Sequence, residues 1–124
     1  MMRDFGHLDG LHVKVDDILY MPSLQSPVDK PHPFIYFLSI INDSDEEVQI
    51  YGRKWLLEEA HETLVLEGDG VIGEMPIIMP DEKFSYNSYH VTATSAEAQG
   101  AFYAKTASGM HIMVEIPMFQ LELP

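Results

Sequence analysis

A chain of 124 residues, 46% hydrophobic and 22% charged, has the length and balance of one folded domain, long enough to bury a core without disulfides or a structural metal. Its 20 acidic against 7 basic side chains give a net charge of -13, which argues against binding to a nucleic-acid backbone or an anionic membrane. The absence of cysteine excludes disulfides, thiolate metal sites and thiol catalysis, and fits a reducing, cytoplasmic setting.

No apolar run approaches the roughly 20 residues of a membrane span. Residues 1–10 lack periodicity and carry Arg3, Asp4 and Asp9. They read as a mobile lead-in and not as a signal peptide, leaving one domain over 11–124. Leu11, Val13 and Val15 alternate with His12, Lys14 and Asp16, the period of a half-buried strand. Pro22, Pro27, Pro31 and Pro33 then deny backbone donors to any ladder and predict a long connection. Phe34–Ile41 is nearly all apolar and reads as a central strand. Asn42–Asp45 supplies turn residues before Val48 reopens the pattern, so the two flanking strands are expected to pair as a hairpin. The apolar parity changes between Ile50 and Trp55, which predicts a bulge near Gly52. Glu58–Glu62 reads as a hairpin connection or one helical turn, and Thr63–Glu67 as a strand.

The stretch Gly68–Pro76 holds three glycines and a proline. After it, Pro80-Asp81-Glu82 forms a turn signal, Phe84, Tyr86 and Ser88 alternate as in a strand, and the small-residue tract Val91–Gly100 reads as a loop. Gly100–Lys105 and His111–Ile116 are strands joined at Ser108-Gly109, and Pro117 opens a short extended tail. Seven or eight short strands without an amphipathic helix predict an all-β sandwich of antiparallel strands, with a barrel as the alternative.

Gly68, Gly70 and Gly73 match G-x-G-x-x-G, but a dinucleotide loop needs a helix after it, and Pro76 with the β-rich stretch that follows leaves no room for one. The glycines read first as a structured turn. A nest of backbone N–H groups would still hold a phosphate-bearing small molecule, with Arg53 as counter-charge to it or to Glu74. Arg53 and Trp55 share a strand face with Lys54 between them. Trp55 reads as core covered at its edge by Arg53, or the three form an exposed recognition surface.

The six histidines show no metal-ligand spacing, and the Asp43–Glu47 run lacks the glycine of a calcium loop. Asp16 and Asp17 point to opposite sides of a strand and make poor acid/base partners. No nucleophile elbow is present. No enzyme, metal or cofactor is expected.

In order and spacing, several segments together resemble the ApaG family: Phe34–Phe37 leading to Ile41-Asn42, Arg53-Lys54-Trp55, Gly68–Glu74 with Pro76, Phe84–Ser88, and Ile116–Leu121. The likeness spans Leu11–Leu121. It departs at Lys54, at Pro80-Asp81-Glu82 and at Ala96–Gly100. The resemblance implies an immunoglobulin or fibronectin type III-like β-sandwich. It also implies a family associated with cobalt and magnesium tolerance, whose relatives in F-box and polymerase-interacting proteins suggest a protein-interaction module. A non-enzymatic domain with a protein partner is therefore expected, through a sandwich face or edge that also makes a homodimer reasonable. The alternative is a nucleotide, pyrophosphate or other anion at the loop.

Overall fold

The computed structural model describes residues 5–124. Eight strands follow one another with no helix among the described residues: β1 (Leu11–Tyr20), β2 (His32–Asn42), β3 (Val48–Glu59), β4 (Thr63–Asp69), β5 (Ile77–Ile78), β6 (Glu82–Thr92), β7 (Ala96–Thr106) and β8 (His111–Leu121). They form two antiparallel sheets, a small one in the order β1-β2-β6 and a larger one in the order β4-β3-β7-β8, with β5 pairing the start of β3. The expected β-sandwich is the fold.

Period-2 alternation decides which faces meet. Leu38 and Ile40 of β2, Val48 and Ile50 of β3, Phe102 and Ala104 of β7, and Ile112 of β8 are fully buried between the sheets. Each large apolar side chain so placed contributes roughly 1.5–3 kcal/mol over exposure. An aromatic group occupies the middle: Tyr36 lies 4.9 Å from Trp55 and 4.6 Å from His90, ring centre to ring centre. The bulge expected near Gly52 is present, as a register shift between Ile50 and Gly52 against β7.

Four expectations are corrected. β2 and β3 do not form a hairpin; they lie in different sheets, and the chain crosses between them at Asn42–Glu47. The buried Asn42 side chain makes the crossing, donating to the Glu46 and Ile78 carbonyls at 2.8 and 2.9 Å and accepting from the Ser44 N–H at 3.1 Å. Stacking the two apolar inner faces buries more than laying them side by side. The tract Val91–Gly100 is not a loop, because β6 runs to Thr92 and β7 starts at Ala96. Ala96 and Ala98 are inward-facing and buried, with Ala98 paired to Leu57 on one side and Phe119 on the other.

Pro117 does not end β8 but sits where its register slips against Ala98–Gly100. On an edge strand the missing N–H costs no ladder bond. Asp16 and Asp17 do not point apart, since a register shift between Val15 and Asp17 leaves both exposed beside one hollow on the outer face of the small sheet. There the Ser39 hydroxyl donates to Asp16 at 2.6 Å.

Residues 1–4 of the expected lead-in lie outside the described residues. Gly6 bridges to Ile112 of β8, with its N–H on the His111 carbonyl at 2.9 Å and its carbonyl accepting from Met113 at 3.1 Å.

Candidate functional site

The glycine loop links β4 to β5 beside the bulged part of β3. Its backbone donors are largely spent inside the protein: Gly70 N–H on the Tyr51 carbonyl at 2.8 Å, Val71 N–H on Glu74 at 2.7 Å, and Glu74 N–H on Val71 at 2.9 Å. The last two close a two-residue turn in which Ile72 (φ 42°) and Gly73 (φ 81°) both have positive φ, as a type I′ turn demands. Gly70 (φ 59°) is held by two constraints, since a Cβ there would also collide with the Glu74 carbonyl oxygen. No helix follows, as Pro76 implied.

Arg53 lies across this loop. Its register partner on β4 is Gly68, and a Cβ on Gly68 would meet the guanidinium at 2.7–2.9 Å. The missing side chain is what seats Arg53. One guanidinium nitrogen donates to the Asp69 and Gly70 carbonyls at 2.7 and 3.0 Å. The loop thus turns carbonyls toward a cation.

No ion pair joins Arg53 to Glu74 or to any other carboxylate among the described residues. Beside it lies a hollow of about 330 Å³ whose lining includes Glu67 and Asp69. The structure brings together Arg53, Gly68 and Gly70, with Gly73 and Glu74 in the adjoining turn. It does not bring Arg53, Lys54 and Trp55 onto one surface. Trp55 is core, whereas Lys54 points to the opposite, exposed face with Glu67 at 3.8 Å.

Arg53 faces inward, like its cross-strand neighbour Phe102, and its charge reaches two tyrosines of the small sheet. Burial pushes the Tyr36 hydroxyl up, with Ser88 and Arg53 acting against it. Burial together with Tyr36 pushes Tyr86 up further, again opposed by Arg53. Both remain neutral phenols. His90 is buried among the aromatics with its Nε2 unpartnered among the described residues, and burial pushes its pKa down to about 4. All three groups are held in their neutral forms by burial.

At one end of the sandwich three connections meet on Glu59. Its carboxylate accepts from Lys30 at 2.7 Å and from the N–H groups of Ala93 and Thr94 at 2.6 and 3.2 Å, while Glu62 takes Lys30 at 2.6 Å. Burial opposes ionisation of Glu59, but Lys30 and the two N–H donors outweigh it and hold the carboxyl below its ordinary range. Glu59 and then Glu62 raise Lys30. This is a structural clamp. No group of three or more potential metal ligands occurs among the described residues.

The sequence reading missed the strip just past the glycines. Ile72, Met75, Ile77 and Met79 are 50, 49, 55 and 44% exposed, four large apolar side chains in eight residues. The signal was available, because Pro76 and Pro80 leave room for only a short strand between them, and the two-residue β5 cannot bury its flanks.

A two-sheet antiparallel sandwich with this Arg53-capped glycine loop defines a small all-β class of immunoglobulin or fibronectin type III kind. The ApaG domain family matches residues 22–106, and the chain belongs to that family. It is 35% identical over 109 residues to Protein ApaG of Citrobacter koseri, covering 86% of each chain. It is 33% identical over 107 residues to Protein ApaG of Vibrio vulnificus, covering 85% of each. Among solved structures it resembles the X-ray structure of Northeast Structural Genomics Consortium target SoR45, with a TM-score of 0.85 and 30% identity over 94% of this chain and 89% of that one. A crystal structure described as an ApaA protein from Bordetella pertussis gives 0.83 and 26% over 98% of each.

Proposed function

We propose that this chain is a non-enzymatic, cytoplasmic protein-interaction module whose partner docks on the apolar strip Ile72–Met79. The strip itself carries the reading. Four large apolar side chains, 44–55% exposed, form a surface suited to a protein partner. Ile72 adds weight to it. A β-branched residue at φ 42° costs roughly 1–2 kcal/mol over glycine, and this one spends that cost on presenting an exposed isoleucine.

The rim is acidic, with Asp69, Glu74 and Asp81 exposed. A partner with an apolar centre and a cationic border fits. The test is cross-linked capture from cells grown in several metal conditions, comparing the native chain with Ile77→Lys. A partner captured by the native chain and lost with the variant supports the reading; equal recovery by both, or no reproducible partner, sinks it.

One observation favours a second reading, a phosphate-bearing small molecule at the loop: Arg53 has no carboxylate partner among the described residues. Against it stand the spent N–H groups of Gly70, Val71 and Glu74 and the nearby Glu67 and Asp69. Calorimetry with pyrophosphate, nucleoside triphosphates and diadenosine polyphosphates decides. Binding abolished by Arg53→Gln supports it, and no heat with the native chain dismisses it.

A further inference from the structure

We propose that the free edge of β6, above the uncovered inner face of β4, seats a single extended peptide strand that completes the small sheet. This deepens the interaction reading but uses a different surface from the Ile72–Met79 strip. The two sheets have unequal widths, three strands against the four of β4-β3-β7-β8. β1 packs along β8, and His90 of β6 stands over Trp55 of β3 with ring centres 4.6 Å apart. β4 is therefore left with no strand above it among the described residues.

The side chains of β4 record this vacancy. Leu66 pairs with the buried Trp55 across the strands, so it faces inward, yet it is 43% exposed. Leu64 pairs with the buried Leu57 and is only partly covered. The next inward position is Gly68, overlaid by Arg53. The floor of the slot therefore reads cation, apolar, apolar at alternate residues.

The wall is the edge of β6. Its register with β2 runs unbroken from Glu82 to Thr92, and its only charged residues, Glu82 and Lys83, lie together at its start. Proteins usually protect such edges. Here β1 has its bulge at Asp16, and β8 has Pro117 and the Gly6 bridge. β6 has no bulge, no proline and, beyond its start beside β5, no strand paired along this edge among the described residues. β5 and the turn that joins it to β6, closed by the Glu82 N–H on the Met79 carbonyl, bound one end of the slot, and the Glu59 bonds to Ala93 and Thr94 close the other. About seven residues of β6 remain, roughly 23 Å of extended chain.

A second copy does not fit. Pairing β6 with β6 of another molecule would place that molecule's β3 where this chain's β4 already lies. A lone strand has no such lower layer. Main-chain bonds to β6 would give it affinity, and its alternate side chains would meet the floor. Leu66 and Leu64 call for apolar residues, and Arg53, without a carboxylate partner among the described residues, calls for an aspartate or glutamate two positions away.

The probe is a displayed library of random twelve-residue peptides, selected on the whole chain and remade as synthetic peptides. Expected are sequences with one acidic and two apolar residues at alternate positions, shifting the amide NMR signals of Tyr86–Thr92. Leu66→Lys and Arg53→Gln should each weaken binding at least tenfold. N-methylation of the set of alternate amides that faces β6 should abolish binding, while methylation of the other set should not. No enrichment, or undiminished binding both to Leu66→Lys and after methylation of either set, overturns the proposal. Peptide binding that persists in Ile77→Lys, alongside failed partner capture, would leave this slot standing and remove the strip.

Discussion

His90 is the most acid-sensitive point in the core. It lies on the inner face of β6, 4.6 Å from the rings of both Tyr36 and Trp55, with Nε2 unpartnered among the described residues. Burial pushes its pKa down to about 4, from 6.5 in the unfolded chain. The unfolded chain therefore binds the extra proton between those values and the folded one does not. Stability is full above pH 6.5 and is lost as pH falls toward 4. At about 1.4 kcal/mol per tenfold change in proton affinity, the whole loss is about 3 kcal/mol, of which about 2 is reached by pH 5. With a urea dependence of roughly 1–3 kcal/mol/M, the midpoint should fall by about 1 M between pH 7.5 and pH 5. His90→Phe removes the titrating group and should flatten this part of the curve, every other histidine being common to both proteins. Glu59 acts in a separate window: its carboxyl is held below the ordinary range, so its contribution is kept above that range and lost only as pH falls through the lowered value. A native curve as flat as that of the variant between pH 7.5 and 5 would refute the reasoning. The π faces of Tyr36 and Trp55 would then be holding the imidazolium as a cation.

Ile72→Asn relieves a β-branched residue at φ 42° and should raise stability by about 1 kcal/mol in urea melts, while weakening whatever docks on the strip. Glu59→Ala leaves the Ala93 and Thr94 N–H donors without their acceptor and Lys30 with Glu62 alone, and should cost about 2 kcal/mol, read as a drop of roughly 7 °C in Tm. Gly70→Ala combines φ 59° with a collision at the Glu74 carbonyl and should cost at least about 2 kcal/mol. It therefore tests the loop's structure, and Arg53→Gln is the cleaner test of any anion.

How much could be read from the sequence follows from where the information is local. Val13, Ile112 and Val114 show their inward faces by alternation, and Ser108-Gly109 announces a hairpin; each signal lies within a few residues. The pairing of β2 was not legible that way. Asn42–Asp45 looks like a hairpin turn in sequence, and only the Asn42 contacts to Glu46 and Ile78 send the chain to the other sheet. Ala96 and Ala98 looked like loop residues because their place in a strand is set by partners distant in sequence, Leu57 and Phe119 for Ala98 and Leu121 for Ala96.

The glycine loop shows the same limit for the site. Gly70 and Gly73 take positive φ in a turn as expected, but Gly68 belongs to β4, and its reason is a guanidinium from fifteen residues earlier that no spacing rule connects to it. Once Arg53 is seated on Gly68, the Asp69 and Gly70 carbonyls follow as its acceptors, and the G-x-G spacing needs no phosphate to explain it. That seating also fixes Arg53 on the inner face beside the vacant strand position. The same glycine that frees space for the cation thus makes β4 a floor with one charged position and two apolar ones. A motif that suggests nucleotide binding by its letters becomes, through one side chain, a determinant of which peptide the sheet would accept.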